Sequence, residues 1–375
     1  MNIIFVLSSF AHRAGVERVI SDKMNYLAEQ GHRVVFVTYE QGVHPHVFPL
    51  HKSIMHIDLK CPYFTLYRYP LLIRLFKAHF MKQVFSKRLQ ALVDEQCIDV
   101  LVAPTNASMF MGEMMKIKRV RKVVESHGAF VKTMISDHFF ANVAKKMQLR
   151  AIKKCDLLIS LTENDANCWR KYVHNIEVHP NPVSFYYENI NRIEKRNRRI
   201  IAVGGLNIHK RFDRLIDAFA LISRKFPDWH VDIYGDGDDK RSLEFQVESL
   251  GLESYIHFYP STHQIVVEYQ RSDLFVLCSD TEGFPLVLIE AMACGLPCVS
   301  TDCPFGPSEI IEDGVTGLLC QLNSQDLASK MAWLMSQSEI YRMEMGMKAH
   351  KAAARYQKEI VMKEWECAYY SVMGE

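Results

Sequence analysis

Short aliphatic runs recur along this chain at intervals long enough for one helix each: Ile3 to Leu7, Val34 to Val37, Val100 to Ala103, Val123 to Glu125 and Leu157 to Ser160. The pattern continues with Ile200 to Val203, Val231 to Tyr234, Phe275 to Leu277 and Cys298 to Ser300. A strand solvated on one face alternates apolar with polar residues, whereas a strand covered by helices on both faces reads as an unbroken apolar run. The rhythm therefore predicts an α/β fold of parallel, doubly wound sheets with helices on both faces. At 375 residues and 49% hydrophobic, the chain can bury large cores and is too long for one ordinary domain. Pro180 and Pro182, followed by the charged stretch from Arg192 to Arg199, read as a solvated linker. A boundary there gives an N-terminal domain over residues 1–185 and a C-terminal domain over 186–355, with a last helix over about 356–375.

The segment from Ser279 to Pro297 carries the clearest chemistry. Phe275 to Cys278 suits a buried parallel strand; Gly283 and Pro285 then turn the chain into an apolar helix that stops at Gly295 and Pro297. Strand, turn and helix together point unpaired N–H groups outward, and with the helix dipole these favour a phosphate at the helix start. Glu282 falls in the turn and Glu290 about five residues into the helix, so one carboxylate can lie on each side of a bound diphosphate. Ionised carboxylates only accept hydrogen bonds, and vicinal sugar hydroxyls are paired donors. Glu290 is also the only charge between Glu282 and Asp302, on a helix apolar nearly all round, so once buried it needs a partner.

These residues, Glu282-Gly283-Phe284-Pro285-Leu286 through Glu290-Ala291-Met292-Ala293, resemble the E-x7-E signature of the retaining glycosyltransferases of family 4, which have the GT-B fold. Further matches are Gly15-Val16-Glu17-Arg18-Val19, Asn181-Pro182-Val183, Val203 to Leu206 followed by Lys210, and Gly306 to Leu319. The resemblance implies two Rossmann-like domains facing a central cleft, with the C-terminal helix crossing back to the N-terminal domain. It also implies that Lys210 neutralises a donor diphosphate, that Glu282 binds the sugar hydroxyls and Glu290 the ribose, and that His127 meets the donor sugar and leaving phosphate. Gly15, Gly283, Phe284, Pro285 and Leu286 complete the donor-binding set. One departure stands out: the family usually has Arg where this chain has Gly205 and Gly where it has Arg211, so a second phosphate cation is either absent or supplied by Arg211. With Lys210 and a helix start carrying the charge, neither metal nor cofactor is expected.

Other readings narrow the function. No G-x-G-x-x-G follows the first strand, where Ser8 to Gly15 stands, and neither Gly204-Gly205 nor Gly235-Asp236-Gly237 completes one, which argues against a nicotinamide site. Asp236, Asp238 and Asp239 read as turn chemistry rather than a metal site. Cys294, Cys298 and Cys303 fall on a helix end, a strand and a loop, and the cysteines overall read as apolar fillers in a reducing compartment. No apolar run reaches membrane-span length, and Met1 to Leu7 reads as a first strand rather than a signal peptide, so a cytoplasmic enzyme is expected.

Charge is uneven: residues 1–185 carry 25 Lys+Arg against 15 Asp+Glu, and the remainder 20 against 28. Lys60 to Arg88 holds seven basic residues and no acid, interleaved with Tyr63, Phe64, Tyr67, Tyr69, Phe76, Phe80 and Phe85. Two readings stay open: peripheral contact with an anionic membrane at the inner face, or a solvated helix with its aromatics in the core. No nucleic-acid motif accompanies the basic patch. The resulting expectation is transfer of a hexose from a UDP-sugar to a glycan or lipid-linked acceptor, with retention, in cell-surface polysaccharide or lipopolysaccharide synthesis. A sugar-nucleotide epimerase and a non-catalytic transferase subunit are the alternatives.

Overall fold

The computed structural model describes residues 1–11, 15–130, 139–188, 190 and 198–374. Most of the predicted linker from Arg192 to Arg199, and residues 12–14 of the first turn, lie outside the described residues. The chain forms two units, Met1–Pro180 with Val361–Glu375, and Asn181–Ile360.

In the first unit seven strands make one parallel sheet: β1 (Asn2–Leu7), β2 (Arg33–Thr38), β3 (Met55–Asp58), β4 (Val100–Pro104), β5 (Arg121–Ser126), β6 (Leu157–Ser160) and β7 (Ile176–Val178). Their order is β3-β2-β1-β4-β5-β6-β7. The second unit has six: β8 (Arg199–Val203), β9 (His230–Tyr234), β10 (Ile256–Tyr259), β11 (Leu274–Leu277), β12 (Cys298–Thr301) and β13 (Gly317–Cys320), in the order β10-β9-β8-β11-β12-β13. Both orders reverse direction once, between β1 and β4 and between β8 and β11. Beside such a switch point the connecting helices diverge to opposite faces and leave a crevice at the carboxyl ends of the strands.

Every predicted strand is present, and β3, β7, β10 and β13 were not foreseen. All four lie at sheet edges. A strand with a neighbour on one side only tolerates polar residues and short length, so Met55-His56-Ile57-Asp58 and Ile176-Glu177-Val178 lose the apolar signature that β4 keeps at every position.

Each unit has its own core. In the first, helix α1 (Gly15–Glu29) buries Val19, Ile20, Met24 and Leu27, a stripe at helical spacing, but Lys23 lies on the same buried face. The terminal helix Lys358–Ser371 buries Val361, Met362, Trp365, Ala368 and Tyr369 by the same periodicity. Trp365 Nε1 donates to the Pro180 carbonyl at 2.7 Å, and Tyr369 Oη donates to Glu125 Oε1 at 2.5 Å. Lys23 Nζ sits 3.0 Å from Glu125 Oε2 and 2.8 Å from the centre of the Trp365 ring, so a charge on α1, a carboxylate on β5 and two aromatic side chains of the terminal helix close on one another.

Loss of one hydrogen bond to a buried carboxylate costs roughly 1.5–3 kcal/mol, so Tyr369→Phe is expected to lower stability by that amount. Urea unfolding of the variant and the parent checks it; an unchanged midpoint would show that the Tyr369–Glu125 bond adds no net stability.

Candidate functional site

In the second unit, two loops meet at the carboxyl ends of β8 and β11. The first, Gly204 to Lys210, is fastened to the β9 exit: Gly204 N–H donates to the Tyr234 carbonyl at 3.0 Å and Leu206 N–H to the Asp236 carbonyl at 2.9 Å. The approach is too close for side chains. A Cβ at Gly235, where φ is +157°, would lie 1.9 Å from the Gly204 carbonyl oxygen, and one at Gly237 would lie 2.1 Å from that of Leu206. The Gly235-Asp236-Gly237 run, read from sequence as ordinary turn chemistry, is thus a backbone platform for the loop bearing Lys210.

The second loop, Ser279 to Pro285, carries Glu282. Lys210 Nζ reaches Glu282 Oε1 at 2.7 Å, and Ser279 Oγ donates to the same oxygen at 2.6 Å. Asp280 N–H donates to the His209 carbonyl at 3.0 Å, joining the loops through backbone as well. Glu282 is nearly buried and Lys210 is 26% exposed along its side chain, so the ammonium is the more accessible partner of the pair. Gly283, Phe284 and Pro285 lead into the helix Leu286–Ala293, and a Cβ on Gly306 (φ +122°) would meet Pro285 Cδ at 2.6 Å. The helix ends in a Schellman turn: Leu296 N–H donates to the Ala291 carbonyl, Gly295 N–H to that of Met292, and Gly295 takes φ +71°.

Glu290 is 2% exposed, and the partner that its burial demands is Tyr269, whose hydroxyl donates to Oε2 at 3.3 Å. Arg211 sits in the left-handed region (φ +53°) at the start of the helix Phe212–Ile222. Its guanidinium is engaged by Asp213 at 2.9 Å and Asp280 at 2.8 Å, and Arg214 reaches the other Asp280 oxygen at 2.5 Å. Partial burial pushes the Asp280 carboxyl up, but the two arginines outweigh it and hold the group below the usual carboxylate range. Arg211 therefore braces the loop, and at Gly205 an added Cβ would meet the Asn207 amide at 3.1 Å and the Asp236 carbonyl oxygen at 3.9 Å.

In the first unit, His127 follows β5 with its side chain 3% exposed and Nε2 2.6 Å from Glu125 Oε2. It lines a cavity of about 700 Å³ together with Thr105, Asn106, Gly128, Lys145 and Gln148. Gly15 begins α1, and nothing lies within 4 Å of where its Cβ would be. Nearby in sequence, helix α2 (Leu71–Glu95) resolves the open question of the aromatics. Phe85 is buried, but Phe64, Tyr67, Tyr69, Phe76 and Phe80 are exposed, and so are Leu71, Leu72, Ile73 and Leu75. Arg74 and Lys77 lie over the rings of Tyr67 and Tyr69. The aromatics of this stretch are largely on the surface rather than in the core. No described helix is long and apolar enough to cross a membrane.

Sequence reasoning missed Ser279, Tyr269, Asp280 and Glu125. Ser, Tyr and Asp carry no spacing signal of their own, but the Lys23 that meets Glu125 was legible as a charge on the apolar face of α1.

Residues 13–185 match the family model described as Glycosyltransferase Family 4, and residues 186–352 the model described as Glycosyl transferases group 1. The chain is 28% identical over 367 residues to an uncharacterized glycosyltransferase of Haemophilus influenzae, covering 96% of this chain and 98% of that protein. It is 22% identical over 372 residues to a Campylobacter jejuni alpha-1,4-N-acetyl-D-galactosaminyltransferase named for a PP-undecaprenol-linked glycan, with 97% of each covered. Anabaena HepE, solved with UDP and glucose, superposes with a TM-score of 0.78 at 19% identity over 99% of this chain and 100% of that one.

Overpacking of backbone costs about 1–3 kcal/mol, so Gly237→Ala is expected to lower the melting temperature, while Gly205→Ala, whose one tight contact is a movable side-chain amide, leaves it nearly unchanged. Calorimetric scans of the two variants check this; equal effects would mean that the loop yields freely.

Proposed function

Because the chain belongs to the family 4 glycosyltransferases and has their GT-B fold, we propose that it transfers a hexose from a UDP-sugar to a hydroxyl of a glycan or lipid-linked acceptor, with retention at the anomeric carbon. The observation that carries the donor reading is the Lys210–Glu282–Ser279 cluster beside the helix start at the β8/β11 switch point. A departing diphosphate gains negative charge, and a partly exposed ammonium with the N–H groups of Gly283, Phe284 and Leu286 stabilises it without a metal. Glu282 turns to the sugar hydroxyls once Lys210 engages phosphate, and Glu290 accepts from the ribose with Tyr269 holding its carboxylate. Arg211, its charge already matched by Asp213 and Asp280, orders the loop. The UDP bound to HepE and the lipid-linked glycan in the name of the Campylobacter relative support the two substrate classes. The setting proposed is cell-surface polysaccharide or lipopolysaccharide synthesis.

Contact with an anionic bilayer through the short helical turn Tyr63–Arg68 and the start of α2 completes the reading. The exposed apolar and aromatic side chains there alternate with Arg68, Arg74 and Lys77, and no acid falls between Lys60 and Arg88. An apolar surface rimmed by one sign of charge suits the interface of an anionic leaflet.

Three measurements test these assignments. Glu290→Gln should weaken UDP and UDP-sugar alike, by roughly ten- to a hundredfold for one lost bond to a charged acceptor, whereas Glu282→Gln should spare UDP and weaken the sugar-bearing donor. Titration calorimetry separates them, and equal loss of UDP affinity in both overturns the roles. Chelator should leave turnover nearly intact while Lys210→Ala lowers it sharply; abolition by chelator with recovery on adding magnesium or manganese refutes the metal-free scheme. Sedimentation with anionic liposomes should be clear at low salt and fall both with added salt and in Leu72→Ser/Phe76→Ser. Binding indifferent to salt and to that variant would assign the α2 surface another partner.

A further inference from the structure

His127 is held by Glu125, two residues before it at the end of β5. Both oxygens of Glu125 face donors: Oε1 accepts from Tyr369 at 2.5 Å, and Oε2 lies 3.0 Å from Lys23 Nζ and 2.6 Å from His127 Nε2. Burial pushes the Glu125 carboxyl up, but Lys23, His127 and Tyr369 together bring it down to about 2, so it is ionised at neutral pH. An ionised carboxylate only accepts, which places a proton on His127 Nε2. Burial first, and Lys23 second, lower the His127 pKa, so the ring is neutral and its other nitrogen, Nδ1, carries a lone pair without a proton. Among the described residues no group hydrogen-bonds to Nδ1, although the side chain is almost fully buried and borders the 700 Å³ cavity.

We infer that Glu125 is a positioning residue of the transfer reaction: it sets the His127 tautomer so that Nδ1 accepts a hydrogen bond from a sugar hydroxyl in the cavity of the first unit. The inference rests on the glycosyl-transfer reading and sharpens it. A bare Nδ1 cannot donate, so its ligand is a hydroxyl and not a phosphate oxygen, and the leaving phosphate is met by other groups. The charged and titratable groups facing the ring are Glu125 on β5, Lys23 on α1 and Tyr369 on the terminal helix, with the parallel Trp365 ring 6.5 Å away; Lys82, Glu113, Lys116 and Lys145 line the rest of the cavity. The hydroxyl belongs either to the donor hexose or to the acceptor glycan, chemically equivalent here.

Nitrogen NMR of the full chain with labelled histidine decides it, with the His127 signals identified by their loss in His127→Gln. At pH 7 Nε2 should resonate as a protonated, pyrrole-type nitrogen and Nδ1 as a pyridine-type one. UDP alone should leave Nδ1 in place. A UDP-hexose that moves it identifies the donor hexose, and methyl α-glucoside moving it identifies the acceptor side. An imidazolium, the opposite tautomer, or an Nδ1 signal unmoved by any UDP-hexose or glycoside that calorimetry shows to bind overturns the inference. Should no UDP-hexose bind at all, the donor reading fails while the tautomer is still read directly. In a second arm, Glu125→Gln is combined with Lys23→Met so that no buried charge is left unmatched, and circular dichroism checks the fold. The ring should turn over its proton to Nδ1, and turnover should drop at least tenfold with UDP affinity unchanged. Parent-like turnover in this folded variant would reduce Glu125 to a structural residue.

Discussion

The N-terminal unit is organised around one ionised carboxylate without exposed surface. Glu125 stands at the end of a central strand, and stripping it of water would cost several kcal/mol were it not met on every side. Lys23 on α1, His127 beyond β5 and Tyr369 on the terminal helix each spend a donor on it, so three segments far apart in the chain must converge for any of them to be satisfied. Burial draws the Lys23 ammonium down to about 8, with Glu125 working against that shift. A charge pair of this kind adds little net stability compared with an apolar core. It penalises every arrangement in which one partner is missing, and so specifies which helix face and which strand end come together.

The second unit solves a different problem with the same means. Its loops lie at the switch point of the sheet, where backbone N–H groups must remain available and cannot be consumed by secondary structure. Stiffness comes instead from glycine contacts, Gly235 on Gly204, Gly237 on Leu206 and Gly306 on Pro285, and from Asp280 gripped by Arg211 and Arg214. Rigid loops keep Lys210 and Glu282 in register without side-chain atoms filling the space above the helix start. The departure at Gly205 fits that arrangement: an added Cβ there meets the Asn207 amide at 3.1 Å, and the arginine six residues on orders the loop rather than standing as free charge.

Helix α2 shows where local and tertiary demands part. Its C-terminal half buries Phe85, Leu89, Leu92 and Val93, a helical stripe, while its first turns expose Leu72, Phe76 and Phe80. Periodicity in the first half is blurred because Leu71, Leu72, Ile73, Leu75, Phe76 and Phe80 do not keep to one face and Arg74 and Lys77 fall among them. Composition alone could not choose between core and surface for these aromatics, since the same residues serve both.

Strands buried on two faces were legible because their runs are mostly apolar; the edge strands β3, β7 and β10 were not, because one missing neighbour admits polar residues such as His56, Glu177 and His257. The E-x7-E segment, its strand, its helix and the helix stop were likewise written locally, in residues whose spacing is meaningful over a few turns. What the sequence could not contain is pairing across distance: Tyr269 for Glu290, Glu282 for Lys210, Asp280 for Arg211, and Glu125 for Lys23 and Tyr369. Those partners lie from 21 to 244 residues apart where a local code has no reach, and only the parallel sheet orders, by bringing particular strand ends side by side, decide which donor meets which acceptor.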